Sequence, residues 1–222
     1  MKILLVGHGR MGRLVEGLAP SHGCEVVGVL TSRTEGAPLD AKGADVAIDF
    51  SAAGAVPTNL ARLAAQGIDV VLGTTGWQAH EAACRQLVQE AGIGVIASAN
   101  FAIGMHIFRR VVGEAAARFA TQPDVGVWIH EAHHAAKKDA PSGTALLLRQ
   151  TIAASGYARA VDVSSTRAGS NPGTHAVGFD GPAEEVTLTH TVRDRSAFAR
   201  GALDAARWVR GRKGWFTVED ML

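Results

Sequence analysis

The chain has 222 residues, which suits one large domain or two smaller ones and leaves ample length for a core. Hydrophobic residues make up 47% of it and charged residues 19%, a composition that excludes a disordered chain. Its 22 basic and 21 acidic side chains leave a net charge of +1 with no block of like charge, so nothing points to a nucleic-acid partner, and an anionic ligand has to be met by local positive charge.

The apolar run at 3–6 belongs to a strand over 2–6 that stops at Gly7. It is far too short for a signal-peptide core or a membrane span, so a soluble, cytoplasmic protein with no membrane partner is expected. Cys24 and Cys84 stand apart from any CxxC pair and read as free thiols. One rhythm then repeats: helix 10–20, strand 25–30, strand 45–50, helix 57–66, strand 69–72, helix 80–91 and strand 94–97. Short apolar strands alternating with helices mean right-handed βαβ units on a parallel sheet, whose ligands gather at the carboxyl ends of the strands. Those ends carry Gly7, Ser51, Gly73, Thr74, Thr75 and Ser98 to Phe101.

After Phe101 the pattern changes to a long helix over 104–120, a strand over 125–129, a helix over 144–154, and strands over 161–167, 175–179 and 185–192. In the last, Val186, Leu188, His190 and Val192 alternate with Thr187, Thr189 and Thr191, which indicates a half-buried, mostly antiparallel sheet. The helix over 197–209 carries an apolar stripe of Phe198, Ala202, Ala205 and Val209, and is expected to pack back on the first domain.

Val6-Gly7-His8-Gly9-Arg10-Met11-Gly12 is GxGxxG between a strand and a helix. Gly7 permits the turn, Gly9 lets backbone approach a pyrophosphate, and Gly12 lets helix and strand pack closely, while the helix N-terminus offers N–H groups to phosphate. The second strand ends Thr31-Ser32-Arg33, with an arginine where an acid would hold a free ribose 2′-hydroxyl. A guanidinium can grip a 2′-phosphate, which favours NADPH. NADH stands if Arg33 is only a solvated loop residue or if Glu35 reaches the ribose. The fold class is therefore α/β: a Rossmann-type parallel sheet over 1–101, completed by 194–222, and a second α+β domain over 102–193.

The densest chemistry is His130-Glu131-Ala132-His133-His134-Ala135-Ala136-Lys137, followed by Asp139-Ala140-Pro141-Ser142-Gly143-Thr144-Ala145. His130, Glu131 and His134 match the zinc-protease spacing HExxH, but that motif needs a helix and this segment straddles a strand end, so no metal is expected. His133, His134 and Lys137 put up to three positive charges beside a helix that starts at Ser142, its expected N-cap. Cations next to a helix N-terminus form a carboxylate trap, and a histidine there can donate a proton. The stretches 165–169 and 173–175, with Arg167, Gly169, Gly173 and His175, read as a glycine-rich, weakly cationic loop over the site.

These residues resemble the 4-hydroxy-tetrahydrodipicolinate reductase family, formerly called dihydrodipicolinate reductase, of the diaminopimelate–lysine pathway. The most specific likeness is Glu131 to His134, Lys137 and the run 139–145. Gly9 to Gly12, Asp49-Phe50-Ser51, Gly73 to Gly76, Asn100-Phe101, Phe198-Ala199 with Gly201-Ala202, and Ala206 with Trp208 are also similar. The resemblance implies an oxidoreductase in which NADPH or NADH gives a hydride to a cyclic unsaturated dicarboxylate, in a cytoplasmic homotetramer. It implies His133 as proton donor and Lys137 as its catalytic partner, with His134, Gly143 and Thr144 on the substrate carboxylates. For the cofactor it implies Gly7, His8, Gly9, Arg10, Met11 and Gly12 on the pyrophosphate, and Ser32 and Arg33 at the adenine ribose. Gly73, Thr74, Thr75, Ser98, Ala99, Asn100 and Phe101 would flank the nicotinamide. The family loop often reads His-His-Arg-His-Lys, and here two of those cationic positions are Ala135 and Ala136. The motif over 139–145 argues against another two-domain dehydrogenase, and a non-catalytic redox sensor would not need His133 and Lys137 together.

Overall fold

The structure is a computed structural model in which residues 1–32, 41 and 43–222 are described. It forms two compact units, one of Met1–Ile103 with Arg195–Leu222 and the other of Gly104–Asp194.

In the first unit, strands β1 (Lys2–Val6), β2 (Glu25–Leu30), β3 (Val46–Asp49), β4 (Asp69–Leu72), β5 (Gly94–Ala97) and β10 (Gly214–Phe216) form one sheet in the order β10-β5-β4-β3-β1-β2. Every ladder is parallel. Ile3, Leu5, Ile48, Val71 and Ile96 fill one core with helices α1 (Arg10–Leu18) and α6 (Ser196–Val209). Leu4, Val6, Ala47, Val70, Leu72 and Val95 fill the other with α2 (Val56–Ala64) and α3 (Glu81–Ala91). Burial on both faces explains why these strands read as unbroken apolar runs. Each buried Val, Leu or Ile among them stabilises the fold by roughly 1.5–3 kcal/mol.

Helix α6 is built largely from small residues on its buried face, Ala199, Gly201, Ala202, Ala205 and Ala206. A Cβ on Gly201 would run into the Phe101 carbonyl, so glycine lets the helix touch the backbone that follows β5. Strand β10 was not expected from the sequence. Its three residues, Gly214-Trp215-Phe216, are too few to show a period, and it adds to the sheet edge beside β5.

The second unit holds α4 (Ile103–Phe119), α5 (Gly143–Ala154) and strands β6 (Gly126–His133), β7 (Val161–Arg167), β8 (Thr174–Asp180) and β9 (Glu185–Thr191), in the order β7-β6-β8-β9. The β6–β8 and β8–β9 ladders are antiparallel, whereas β6 and β7 run parallel, as a crossover through α5 requires. The largest departure from expectation is the end of β6. It continues four residues beyond 129, through His130, Glu131, Ala132 and His133, because partners on both sides take up its backbone. Val127, Ile129, Glu131 and His133 alternate as the buried side of that strand. Its other side, with Trp128, His130 and Ala132, continues across the sheet to Thr187, Thr189 and Thr191.

Candidate active site

In the first unit the strand order reverses at β1, between β2 and β3. That is where an open parallel sheet presents its ligand crevice. A cavity of about 450 Å³ lies there, lined among others by Gly7, His8, Gly9, Ser32, Phe50 and Arg62. The three loop glycines divide the work. Gly7 sits at φ +90° and a Cβ on it would meet the Phe50 carbonyl, while a Cβ on Gly12 would overlap the Gly7 carbonyl oxygen. Both are needed for the chain's own packing. Around Gly9 a Cβ would meet nothing within 4 Å, so its smallness serves open space at the cavity. Gly9 is also the N-cap of α1, with no side-chain capping bond, which leaves that N-terminus bare.

Other expected cofactor residues play mixed parts. His8 Nε2 lies 2.7 Å from Glu16 Oε2, Arg10 is exposed at the start of α1, and Met11 packs against the core. Ser32 lines the cavity, whereas Arg33 and Glu35 lie outside the described residues. Arg62, not expected from the sequence, joins the cavity from α2, one turn beyond Asn59. Asp49, buried at the end of β3, accepts hydrogen bonds from Ser51 N–H and the Thr74 hydroxyl, each at 2.8 Å, so it ties two strand-end loops together. A Cβ on Gly73 would strike the Phe50 ring, so glycine admits that ring. Thr75 and Ala99 are exposed, Ser98 and Asn100 half-buried, and Thr74 buried. Phe101 is buried, edge-on to Phe50 at 6.4 Å, so its ring belongs to the core.

In the second unit, Glu131 and His133 share the buried face of β6, and His133 Nδ1 is hydrogen-bonded to Glu131 Oε2. Arg167, opposite His133 on β7, closes a bidentate pair on the same carboxylate at 2.6 and 2.9 Å. The Ser142 N–H adds a bond to Oε1 at 3.1 Å. Burial alone would push the Glu131 carboxyl up, but hydrogen bonds from Arg167, Ser165, His133 and Ser142 outweigh it and hold it at about 2. Burial pushes the His133 imidazole below its ordinary value, against the opposing pull of Glu131. Across the β6–β8 ladder from Glu131 stands His175, whose pKa burial, aided by the charge of His133, takes down to about 4. The Ser142 hydroxyl is hydrogen-bonded to His175 Nε2 at 3.1 Å and accepts the Ala145 N–H as N-cap of α5.

Glu131, His133 and His175 bring their ligand atoms within 4.8 Å of one another, the spacing of a small metal site. The carboxylate already faces the Arg167 guanidinium and a third donor, so a cation there would meet a fixed positive charge. His130 and His134 do not form the helical pair of a zinc protease either, since His130 lies in β6 and its Nδ1 meets Ser164 Oγ at 2.8 Å.

Of the up to three positive charges expected on this loop, two are offset. His133 is drawn toward its neutral form, and Lys137 Nζ is paired with both Asp139 oxygens at 2.7 and 2.8 Å. His134 is anchored by its backbone, its N–H donating to the Asn171 carbonyl at 2.8 Å. Gly143 and Thr144 supply the first N–H groups of α5, which no carbonyl of that helix can reach. The loop after β7 lies beside them, and a Cβ on Gly173 would come within 3.0 Å of His133 Nε2, so glycine keeps that nitrogen clear. The sequence places Arg167 and His175 in a loop over the site, whereas Arg167 ends β7 and His175 lies in β8, paired with β6 on either side; neither Arg167 nor Glu131 is expected from the sequence to hold His133. The available signal was the two-residue spacing of Glu131 and His133, which shares a face only if the segment is a strand.

The dihydrodipicolinate reductase N-terminal family model matches residues 1–101, and the C-terminal model of the same family matches residues 104–222. The chain belongs to the dihydrodipicolinate reductase family. Relatives named 4-hydroxy-tetrahydrodipicolinate reductase include one from Christiangramia forsetii, 32% identical over all of this chain and 98% of its own. Another, from Afipia carboxidovorans, is 35% identical over all of this chain and 97% of its own. A dipicolinate-bound dihydrodipicolinate reductase from Paenisporosarcina sp. TG-14 has the same fold, with a TM-score of 0.85 at 23% identity over 100% of this chain and 99% of that one. Among the described residues no helix is long and apolar enough to cross a membrane.

Proposed function

We propose that the chain catalyses the reaction for which its relatives are named, reduction of 4-hydroxy-tetrahydrodipicolinate, by way of dihydrodipicolinate, to tetrahydrodipicolinate. The observation that carries the reading is the cluster on β6 and the following loop. It combines a buried histidine with one clear ring nitrogen, a lysine four residues on, and the open N-terminus of α5. Residues 1–101 with 194–222 act as the dinucleotide-binding domain, and 102–193 bind substrate and mediate oligomerisation.

The crevice at β1 fits a nicotinamide dinucleotide: the bare α1 N-terminus and the open Gly9 suit a pyrophosphate. When bound, the reduced nicotinamide supplies the hydride. Gly7, His8, Gly9, Arg10, Met11 and Gly12 hold the pyrophosphate through the loop backbone, and Ser32 and Arg33 meet the adenine ribose. Gly73, Thr74, Thr75, Ser98, Ala99, Asn100 and Phe101 shape the nicotinamide end. His133, as imidazolium, delivers a proton from Nε2 and is left with the Nδ1–H that faces Glu131. Lys137 exchanges its Asp139 partner for a substrate carboxylate, and His134, Gly143 and Thr144 hold the carboxylates with N–H donors.

NADPH is the preferred cofactor on the strength of Arg33, with NADH accepted. Enzymatically generated substrate should drive the loss of reduced-nicotinamide absorbance, faster at low concentrations of NADPH than of NADH. No loss with either cofactor would sink the reading. The protein works in the cytoplasm as a homotetramer, joined through the threonine-rich open face of the second sheet. Light scattering should give a tetramer mass, and a monomer mass would refute that assembly.

A further inference from the structure

We propose that Glu131, gripped by Arg167, is a positioning residue that locks the His133 imidazole with Nδ1–H toward the carboxylate, leaving Nε2 as the single atom through which His133 passes its proton. The inference rests on the reading of His133 as proton donor, and it adds two residues that this reading does not require.

A neutral imidazole has two tautomers, and the partner of one nitrogen decides which is present. An ionised carboxylate can only accept, so a hydrogen bond to it demands a proton on Nδ1. Glu131 is fully buried, and its carboxylate accepts from His133, from two guanidinium N–H groups of Arg167, from the Ser142 N–H and from the Ser165 side chain. With a pKa near 2, the carboxylate stays ionised through the neutral range. Arg167 holds it along a planar fork and is itself anchored, with Nη2–H donating to the Asp139 carbonyl at 2.6 Å and Nη1–H to the Thr166 carbonyl at 2.8 Å. The carboxylate therefore cannot rotate with the ring it orients. On the far side of the ring, Gly173 keeps Nε2 clear.

The charged and titratable groups facing His133 come from every neighbouring element. They are Glu131 on its own strand, Arg167 on β7, His175 on β8 with its ring edge-on at 5.1 Å, and Lys137 on the loop. His190, on β9, lies across the ladder from His175. Of these only Glu131 favours the imidazolium. Its removal also leaves the Arg167 charge without its partner. The proton donor must be protonated to act, so activity is present below the His133 pKa and is lost as pH rises through it.

The test compares Glu131→Gln and Glu131→Asp with the wild-type full chain. Glu131→Gln should lower kcat near neutral pH by roughly 10–100-fold. It should move the falling limb of the kcat–pH profile down by about one unit, leaving the KM for substrate and the Kd for NADPH within about twofold of wild type. Glu131→Asp, which keeps the charge, should restore much of the limb position. An unshifted limb in folded Glu131→Gln, or parallel losses of kcat and NADPH affinity, would overturn the proposal. Imidazole nitrogen NMR of the wild type gives a reading independent of turnover and of variant folding. The neutral His133 ring should carry its proton on Nδ1, and a proton on Nε2 would refute the lock. A wild type with that tautomer but no reductase activity would instead count against the proposed function alone.

Discussion

Replacing His133 by glutamine should lower kcat by about 10²–10⁴-fold, the range that general acid catalysis contributes, while the Kd for NADPH stays within about twofold. The expectation follows from where His133 sits. Its ring is buried on β6, one nitrogen is committed to Glu131, and the other is kept clear by Gly173. Glutamine roughly fills the volume and can still donate toward Glu131, but it carries no titrating proton. Fluorescence titration with NADPH separates the two effects, because the expected cofactor residues all belong to the other unit. A variant that retained wild-type kcat would remove His133 from the chemistry. One that lost NADPH affinity in parallel would point to misfolding.

Gly12→Val should be nearly as damaging, by a different route. Its Cβ would overlap the Gly7 carbonyl oxygen, so α1 must back away from the loop or the turn must open. Overpacking of this kind costs about 1–3 kcal/mol, and the bare N-terminus of α1 moves off the phosphate position. NADPH affinity should fall by at least about 100-fold, with a lower thermal midpoint. Gly9→Ala provides the control. Its added methyl meets no protein atom within 4 Å, so stability should hold while cofactor affinity drops. Equal thermal losses for Gly9→Ala and Gly12→Val would show that both glycines serve packing alone.

The two units differed in how much their residues disclosed. In the first, βα rhythm and GxGxxG are local signals, and strands buried on both faces announce themselves as apolar runs such as 3–6 and 70–72. Strand β10 escaped because three residues at a sheet edge have no measurable period. In the second unit the polar run from His130 to His133 looked like a loop. Its strand character comes from pairing on both sides with β7 and β8, more than thirty residues away in each case. The clamp of Arg167 on Glu131 depends on that same register, so no local pattern could reveal it. The Lys137–Asp139 pair is two residues apart and so is a local feature that offsets part of the cationic trap. The capping of α5 by Ser142, by contrast, is a short-range feature and was legible.

The chain should use a reduced nicotinamide to saturate a cyclic dicarboxylate. This is tested most directly by following deuterium from the transferring position of labelled NADPH into product made from freshly generated 4-hydroxy-tetrahydrodipicolinate. The expected product is tetrahydrodipicolinate carrying one deuterium per NADPH consumed. Unlabelled product alongside oxidised cofactor, or no oxidation at all, would contradict that expectation.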